Sequence, residues 1–192
     1  MDKKRLVLAS NNKGKIREFK ALFPDYDVVA YGDLDINIEP DETGKTFFEN
    51  AYIKAKTISD LTGEAVIADD SGICVDYLNG APGIYSARYS GEGDKKNNEK
   101  LLSVLADVPD DKRTANFTCA LCLCKPDGTV IGTEGKTFGK IMYEVAGENG
   151  FGYDVLFYST EINKCFGLAT PEEKNAVSHR YRAIIKMKEF LK

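Results

Sequence analysis

Short apolar runs of strand length alternate with helical patterns along the whole chain, and this alternation restricts the fold more than any other feature. The run RLVLAS ends in polar residues of the type that cap helices, and Ile16, Phe19, Leu22 and Phe23 then recur at helical spacing. Further strands and helices follow in mixed order, which predicts an α/β or α+β fold built around a mixed β-sheet. No repeat, low-complexity tract or linker interrupts residues 1–192, so we predict one domain, with any two lobes woven from the one chain.

Several predicted elements carry recognisable start and stop signals. Thr46 and Glu49 form a capping-box pattern that begins a helix, and Gly63 ends it. Thr170 followed by Pro171 begins a C-terminal helix, and residues 126–128 form the turn of a hairpin. Two strands, AVIAD and GICVDYL, are predicted on either side of an acidic turn. A helix over residues 94–108 is expected to direct four apolar side chains inward: Leu101, Leu102, Val104 and Leu105.

Composition excludes several classes of protein. The 26 basic and 30 acidic residues give a net charge of −4, and this mild acidity argues against a general nucleic-acid binder. No apolar run approaches the roughly 20 residues that span a bilayer, and the N-terminal apolar stretch is too short for a signal peptide, so we expect a cytoplasmic protein. Five cysteines argue against a disulfide framework, and the cluster CALCLC lacks the second ligand pair of a common zinc site. A buried strand accounts better for that cluster.

The most informative segment is AVIADDSG, in which a buried-looking strand delivers two adjacent carboxylates, Asp69 and Asp70, to a turn. Like charges at this separation repel, and each carboxylate resists the loss of its water. A hard cation such as Mg²⁺ would offset that cost, because it prefers oxygen ligands. Strand alternation would point the two side chains apart, so both reach one site only if the strand ends here. An Asp-rich turn in which Asp69 caps the backbone fits the same residues.

Three other segments carry candidate residues, each with an ordinary structural alternative. In SNNKGKIRE, Ser10 and Lys15 suit an anion at a helix N-terminus, although a plain helix cap explains them as well. Glu42 precedes a helix that carries Lys54, and both residues could simply be solvated. In GENGFGYD, Phe151 lies on a glycine loop, where it could stack on a base or merely anchor the turn.

The segment EEKNAVSHRYR holds a basic cluster and the chain's single histidine. In an unbroken helix Lys174 and Arg180 would lie about 240° apart, so they could not face one small ligand. Either the segment is a solvated basic helix or the helix breaks near Ser178.

Taken together, these segments resemble one family, the nucleoside-triphosphate pyrophosphatases that clear inosine and xanthosine triphosphates. The matching motifs occur in order and cover nearly the whole chain: SNNKGKIREF, ETGKTFFENAYIKA, ADDSGICVDYLNGAPGIYSARYSG, GFGYD and EEKNAVSHR. Family members often have proline after GYD, where this chain has Val155, and the segment STEINKCFGLAT is less typical.

The resemblance implies a role for each matching residue. Glu42, Asp69 and Asp70 would form an acidic metal cluster, with Asp70 as the general base. The phosphates would be bound by four residues: Ser10, Asn12, Lys15 and Lys54. The remaining substrate contacts would come from seven residues: Ser71, Gly72, Phe151, Asp154, Lys174, His179 and Arg180.

The same resemblance implies an activity, a cofactor and an assembly. We expect hydrolysis of ITP, dITP and XTP to the monophosphate and pyrophosphate with Mg²⁺, by a homodimer with a long mixed sheet, two lobes and a central substrate cleft. The alternatives are a pyrophosphatase for other modified nucleotides and a nucleotide-binding module without turnover. Because the resemblance places both Lys174 and Arg180 in the site, we predict that the helix from Pro171 breaks near Ser178. A new helix would then carry three residues toward the core: Ile184, Ile185 and Met187.

Overall fold

The computed structural model describes residues 3–36 and 38–191, which form five helices and seven strands. The helices are α1 (Lys13–Leu22), α2 (Phe47–Thr62), α3 (Asp94–Val104), α4 (Pro171–Val177) and α5 (His179–Lys188). The strands are β1 (Lys4–Leu8), β2 (Tyr26–Ala30), β3 (Val66–Val75), β4 (Thr114–Cys124), β5 (Val130–Ile141), β6 (Phe157–Ser159) and β7 (Lys164–Cys165). None of the helices in the described residues combines the length and the apolar character that a membrane span requires.

The seven strands form one mixed sheet in the order β2-β1-β3-β4-β5-β6-β7. Strand β1 pairs in parallel with both β2 and β3, whereas β6 pairs antiparallel with β5 and β7. Parallel neighbours require a crossover, and helices α1 and α2 provide the crossovers that follow β1 and β2. The predicted α/β class with a mixed sheet is therefore confirmed.

The chain divides into two compact units, each made of separate segments of sequence. The first contains the chain up to Asp70, Cys119–Glu134 and the chain from Ala183 onward. Its core packs side chains of α1, α5 and the β1–β3–β4 strands, including Leu8, Phe19 and Ile67. The second unit contains Ser71–Thr118 and Gly135–Arg182. A separate aromatic core fills the second unit, in which Phe117 contacts Phe157 and Phe166.

The predicted helix starts are confirmed at the level of individual hydrogen bonds. Thr46 Oγ1 accepts a bond from the backbone N–H of Glu49, whose carboxylate accepts one from the backbone N–H of Thr46. The same reciprocal pair joins Thr170 and Glu173 at the start of α4, with Pro171 in the first helical position. These capping boxes satisfy backbone donors that the first helical turn leaves free.

Three details of the predicted elements are wrong. Strand β3 runs without interruption through Asp69, Asp70 and Gly72, where two strands and a turn were expected. A Cβ at Gly72 would lie 2.3 Å from the carbonyl oxygen of Gly83, so the glycine lets the segment at Gly83 pack closely against the strand. Val104 of α3 and Ile185 of α5 are exposed, since each lies on the solvent side of an amphipathic helix; the buried apolar residues are Leu101 in α3 and Ala183, Ile184 and Met187 in α5.

The cysteines are free thiols, and four of the five are buried. Cys119, Cys122 and Cys124 lie inside β4, as expected for a buried strand. The hairpin between β4 and β5 also forms, with the backbone N–H of Lys125 donating to the carbonyl of Thr129 across the turn.

Candidate active site

Strand β3 carries its two aspartates into the interior of the first unit, where lysines from α1 and α2 meet them. Asp69 is fully buried, and Lys15 Nζ lies 3.1 Å from its Oδ1. Lys15 is held by the start of α1, because its backbone N–H donates to Asn12 Oδ1 at 3.0 Å. The backbone N–H of Asn12 in turn donates to Ser10 Oγ. The predicted turn of Ser10, Asn12 and Lys15 thus forms a helix cap that directs its lysine to Asp69.

Lys54 of α2 joins the other two predicted acids. Its Nζ lies 2.5 Å from Glu42 Oε1 and 3.9 Å from Asp70 Oδ1. Burial alone lowers the pKa of Lys54, but the carboxylates of Asp69, Asp70 and Glu42 outweigh burial and raise the pKa above its ordinary value. Lys54 therefore stays protonated, and its ammonium group serves as a cation flanked by Glu42 and Asp70.

Asp70 has an environment that favours a proton acceptor. Burial raises the pKa of Asp70 above the ordinary aspartate value, while Lys54, Lys15 and a hydrogen bond from Asn50 oppose the rise without cancelling it. Asn50 Nδ2 donates that bond to Asp70 Oδ2 at 3.0 Å. A carboxylate with a raised pKa is a better base than a solvated aspartate, because proton transfer to it is more favourable.

The acids are tied to lysines and do not form a closed cage of metal ligands. Among residues 3–36 and 38–191, no group of three His, Cys, Asp or Glu side chains is arranged to hold a metal ion. Mg²⁺ seldom needs such a cage, because it commonly takes one or two carboxylates and completes its shell with substrate phosphates and water. Glu42 and Asp70, which flank the same ammonium group, provide hard oxygen donors of the type that Mg²⁺ prefers.

In the second unit, the glycine loop and α4 bring an aromatic ring and a lysine together. Asp154 Oδ2 accepts hydrogen bonds from the backbone N–H of Phe151, at 2.8 Å, and from Lys174 Nζ, at 2.5 Å. Lys174 is 4% exposed, and its Nζ lies 4.8 Å from the centre of the Phe151 ring. Asp154 thus fixes both the loop backbone and the lysine.

Arg180 approaches the same aromatic ring from α5. Its guanidinium carbon lies 5.8 Å from the centre of the Phe151 ring, and Nη2 donates to Ser71 Oγ at 2.9 Å. His179 instead stacks on Phe117, with 4.8 Å between ring centres and 13° between ring planes. Of the predicted base-binding residues, Lys174 and Arg180 therefore meet at Phe151, while His179 packs against the aromatic core.

The helix break that this arrangement needs is present. Helix α4 ends at Val177, and Ser178 is extended, with φ −69° and ψ 153°. Helix α5 then begins at His179, and Ser178 Oγ accepts a hydrogen bond from the backbone N–H of Tyr181. The predicted break, its position and the capping role of Ser178 are all confirmed.

Two residues of these clusters were assigned no role from the sequence. Asn50 lies four residues before Lys54 on the same face of α2, and that spacing was the available signal for its contact with Asp70. Phe117 lies in a strand that the sequence marks only as apolar, and nothing local indicated its stacking on His179.

Comparison with known proteins establishes the family. The sequence profile of the Ham1 family matches residues 6–190, and the chain belongs to that family. The resemblance inferred from the motifs is confirmed.

Relatives from several bacteria cover nearly the whole chain. A dITP/XTP pyrophosphatase of Clostridium perfringens is 48% identical over 199 residues, covering 98% of both chains. One from Vibrio cholerae is 49% identical over 190 residues, covering 96% of this chain and 94% of its own. Among solved structures, the Staphylococcus aureus Ham1 protein matches with a TM-score of 0.87 at 44% identity, covering 98% of both chains.

Proposed function

We propose that this chain hydrolyses the non-standard purine nucleoside triphosphates ITP, dITP and XTP to the monophosphate and pyrophosphate. It would act as a nucleoside-triphosphate pyrophosphatase that cleanses the nucleotide pool. The observation that carries the proposal is the pairing of Glu42, Asp69 and Asp70 with Lys15 and Lys54 in the first unit. Relatives at nearly half identity over the full chain bear the corresponding name.

The lysines and acids of the first unit would act on the phosphates. Lys15 and Lys54 are preformed cations that can turn from carboxylate to phosphate oxygens and balance the charge that develops on the leaving pyrophosphate. Ser10 and Asn12 would hold the start of α1 in place for the same phosphates. Asp70 would accept the proton of the attacking water.

We assign Mg²⁺ as the cofactor, held by Glu42, Asp69 and Asp70 together with phosphate oxygens. When bound, the ion neutralises phosphate charge and orients the leaving group. Glu42 and Asp70 already flank one cation, the ammonium group of Lys54, which supports their assignment as ligands. Asp69 is paired with Lys15 and would be released for the metal when that lysine turns to phosphate.

The second unit would recognise the base. Phe151 offers a ring face for stacking, and its position is fixed through Asp154 and Lys174. The guanidinium of Arg180 can only donate hydrogen bonds, so it favours the 6-oxo group of hypoxanthine and xanthine over the 6-amino group of adenine. Ser71 holds Arg180 through its hydroxyl, and Gly72 lets β3 pass close to Gly83. His179 would contribute through its backbone N–H.

The experiment that tests the function is a panel of nucleoside triphosphates with Mg²⁺, in which the released product is identified. We expect pyrophosphate, and faster turnover of ITP, dITP and XTP than of ATP or GTP. Release of inorganic phosphate would refute the proposed bond cleavage. Preference for other modified nucleotides would identify a related pyrophosphatase, and tight binding without product would identify a binding module.

We further propose a cytoplasmic homodimer, on the strength of the family resemblance. Light scattering of the purified chain at several concentrations would test the dimer, and a mass near 21 kDa for the monomer would contradict it.

A further inference from the structure

Asn50 lies between the segment that precedes α2 and the aspartate proposed as the base. Its side chain is fully buried, with Oδ1 accepting a hydrogen bond from the backbone N–H of Gly44 at 2.8 Å. Its Nδ2 donates to Asp70 Oδ2 at 3.0 Å. A backbone N–H can only donate, so Gly44 fixes which end of the amide is the oxygen and leaves the NH₂ group for Asp70.

The approach of Gly44 depends on that residue having no side chain. A Cβ at Gly44 would lie 2.6 Å from Asn50 Oδ1 and 2.9 Å from the backbone nitrogen of Asn50. Next to it, the backbone N–H groups of Lys45 and Thr46 both donate to Glu49 Oε2. Hydrogen bonds to Glu49 and Asn50 therefore hold the segment that follows Glu42 against the first turn of α2.

We infer that Asn50 is a positioning residue, which orients the carboxylate of Asp70 by holding Oδ2 while Oδ1 faces Lys54. The inference rests on the proposed function, in which Asp70 activates water. A carboxylate can rotate about its terminal bond, and a hydrogen bond from a buried, immobile donor removes that freedom. Through Gly44, the same amide links the Asp70 carboxylate to the segment that carries Glu42.

The first test separates turnover from binding in two variants. Asn50→Asp keeps an oxygen for Gly44 and loses the donor to Asp70, whereas Asn50→Leu loses both bonds at similar volume. We expect kcat for dITP with Mg²⁺ to fall by about 10- to 100-fold in each, with KM within roughly threefold of the wild type, because misplacing a reacting group by about 1 Å can cost 100-fold. If only one of the two variants retains the native circular-dichroism spectrum, that variant alone is sufficient to test the inference.

A matched control comes from the same helix. Ser59 is buried on α2, and its hydroxyl donates to the backbone carbonyl of Glu64 and not to Glu42 or Asp70. Ser59→Ala should lower the melting temperature and leave kcat unchanged. If it lowers kcat as much as the Asn50 variants do, general loosening of α2 explains the loss and the inference is overturned.

A double variant decides whether Asn50 acts through Asp70. If it does, adding Asn50→Asp to Asp70→Asn should cause no further fall in kcat beyond that of Asp70→Asn alone, because residues acting as a unit are non-additive. Multiplicative losses would overturn the inference. Retained turnover in Asp70→Asn alone would refute the proposed base. Lost turnover in Asp70→Asn with normal kcat in Asn50→Asp would refute only the role of Asn50.

Discussion

Two lysines offset the cost of burying the acids of β3. An unpaired carboxylate in the interior costs several kcal/mol or changes its protonation state. Lys15 meets Asp69, and Lys54 meets Glu42 and Asp70, so each acid has a cation nearby before any ligand binds. The adjacent aspartates that were hard to explain in the sequence are thus compatible with the folded chain, and a charged ligand would have to exchange partners with both lysines.

The role of Asp70 can be tested directly. We expect Asp70→Asn to lower kcat for dITP by at least 100-fold, because the amide cannot take a proton and general-base catalysis contributes about 10²- to 10⁴-fold. Binding of a non-hydrolysable analogue with Mg²⁺ should persist, measured by calorimetry. Asp60→Asn, on the exposed face of α2, is the charge-matched control and should keep full activity. Near-native turnover of Asp70→Asn would remove Asp70 from the mechanism.

The electrostatic coupling between Lys54 and Asp70 makes a second prediction. In the metal-free protein, burial raises the pKa of Asp70, and the positive charge of Lys54 lowers it. Lys54→Met removes that charge, so the pKa of Asp70 should rise further, and the carboxylate should hold its proton to higher pH than in the wild type. Carboxyl-carbon NMR titration measures this shift, with Asp70→Asn identifying the resonance. An unchanged or lower pKa in Lys54→Met would show that the two groups are not coupled.

Base selectivity makes a third prediction at this scale. Arg180→Ala removes the donor that we propose reads the 6-oxo group, so the ratio of kcat/KM for ITP over ATP should fall by about 10- to 100-fold, since an unmatched buried polar group costs roughly 1–3 kcal/mol. Phe151→Ala is the comparison variant, because stacking is tolerant of base identity and its loss should weaken both substrates together. Equal losses for ITP and ATP in Arg180→Ala would make Arg180 a positioning residue.

At the scale of elements, the helix break at Ser178 sets the directions of the Lys174 and Arg180 side chains. Six residues of continuous helix separate Lys174 from Arg180 by about 240°. One extended residue between α4 and α5 removes this restriction, and both side chains reach the ring of Phe151. The break could be predicted because the resemblance required both residues in one site and helical geometry forbade it without a break.

The cap of α5 can be weakened selectively. Ser178→Ala removes the oxygen that accepts from the backbone N–H of Tyr181, so we expect a loss of about 1 kcal/mol in the free energy of unfolding. Alanine also favours continued helix at this position, which would turn Arg180 away from Phe151 and raise KM for ITP more than it changes kcat.

Thr170→Ala, which removes the equivalent cap of α4, provides the control for this effect. It should cost similar stability in urea denaturation while leaving the break at Ser178 in place, so KM should rise less. A larger KM change in Thr170→Ala than in Ser178→Ala would contradict this account of the break.

The course of β3 shows where element prediction failed. Local signals around Asp69, Asp70 and Gly72 are typical of a turn, because charged residues and glycine are rare inside buried strands. The strand continues nevertheless, since lysines of α1 and α2 meet the acids and Gly72 permits close backbone packing. Those partners are distant in sequence, so no local pattern could reveal them.

For the whole molecule, the sequence was enough to predict the fold class and the family, because long motifs specify them together. Contacts within the site were less predictable. Asp154 was predicted as a substrate contact, which stays a prediction, but nothing local indicated that its carboxylate accepts from the backbone N–H of Phe151 and pairs with Lys174 of α4. His179 similarly stacks on a strand more than 60 residues away in sequence. Pairings that depend on tertiary packing leave no periodic signal in the chain.

The charge balance of the first unit leads to a last prediction about stability. The three acids Glu42, Asp69 and Asp70 are paired with only two lysines. Mg²⁺ alone must compete with those ammonium groups, and a triphosphate alone must approach the acids, so each should bind weakly by itself. Under the proposed function they would exchange partners together, with phosphate meeting the lysines and the metal meeting the carboxylates. The two ligands should therefore stabilise the fold cooperatively.

Thermal melting in four conditions measures this cooperativity: no ligand, Mg²⁺, a non-hydrolysable ITP analogue, and both. At 100 times Kd the pair should contribute about 2.7 kcal/mol, which for a chain of this length corresponds to a rise of roughly 5–10 °C in Tm. The combined rise should exceed the sum of the separate rises, and Glu42→Gln should reduce that excess because it removes one of the acids that flank Lys54. Strictly additive shifts in the wild type would contradict the exchange of partners, since independent sites for metal and phosphate need no exchange.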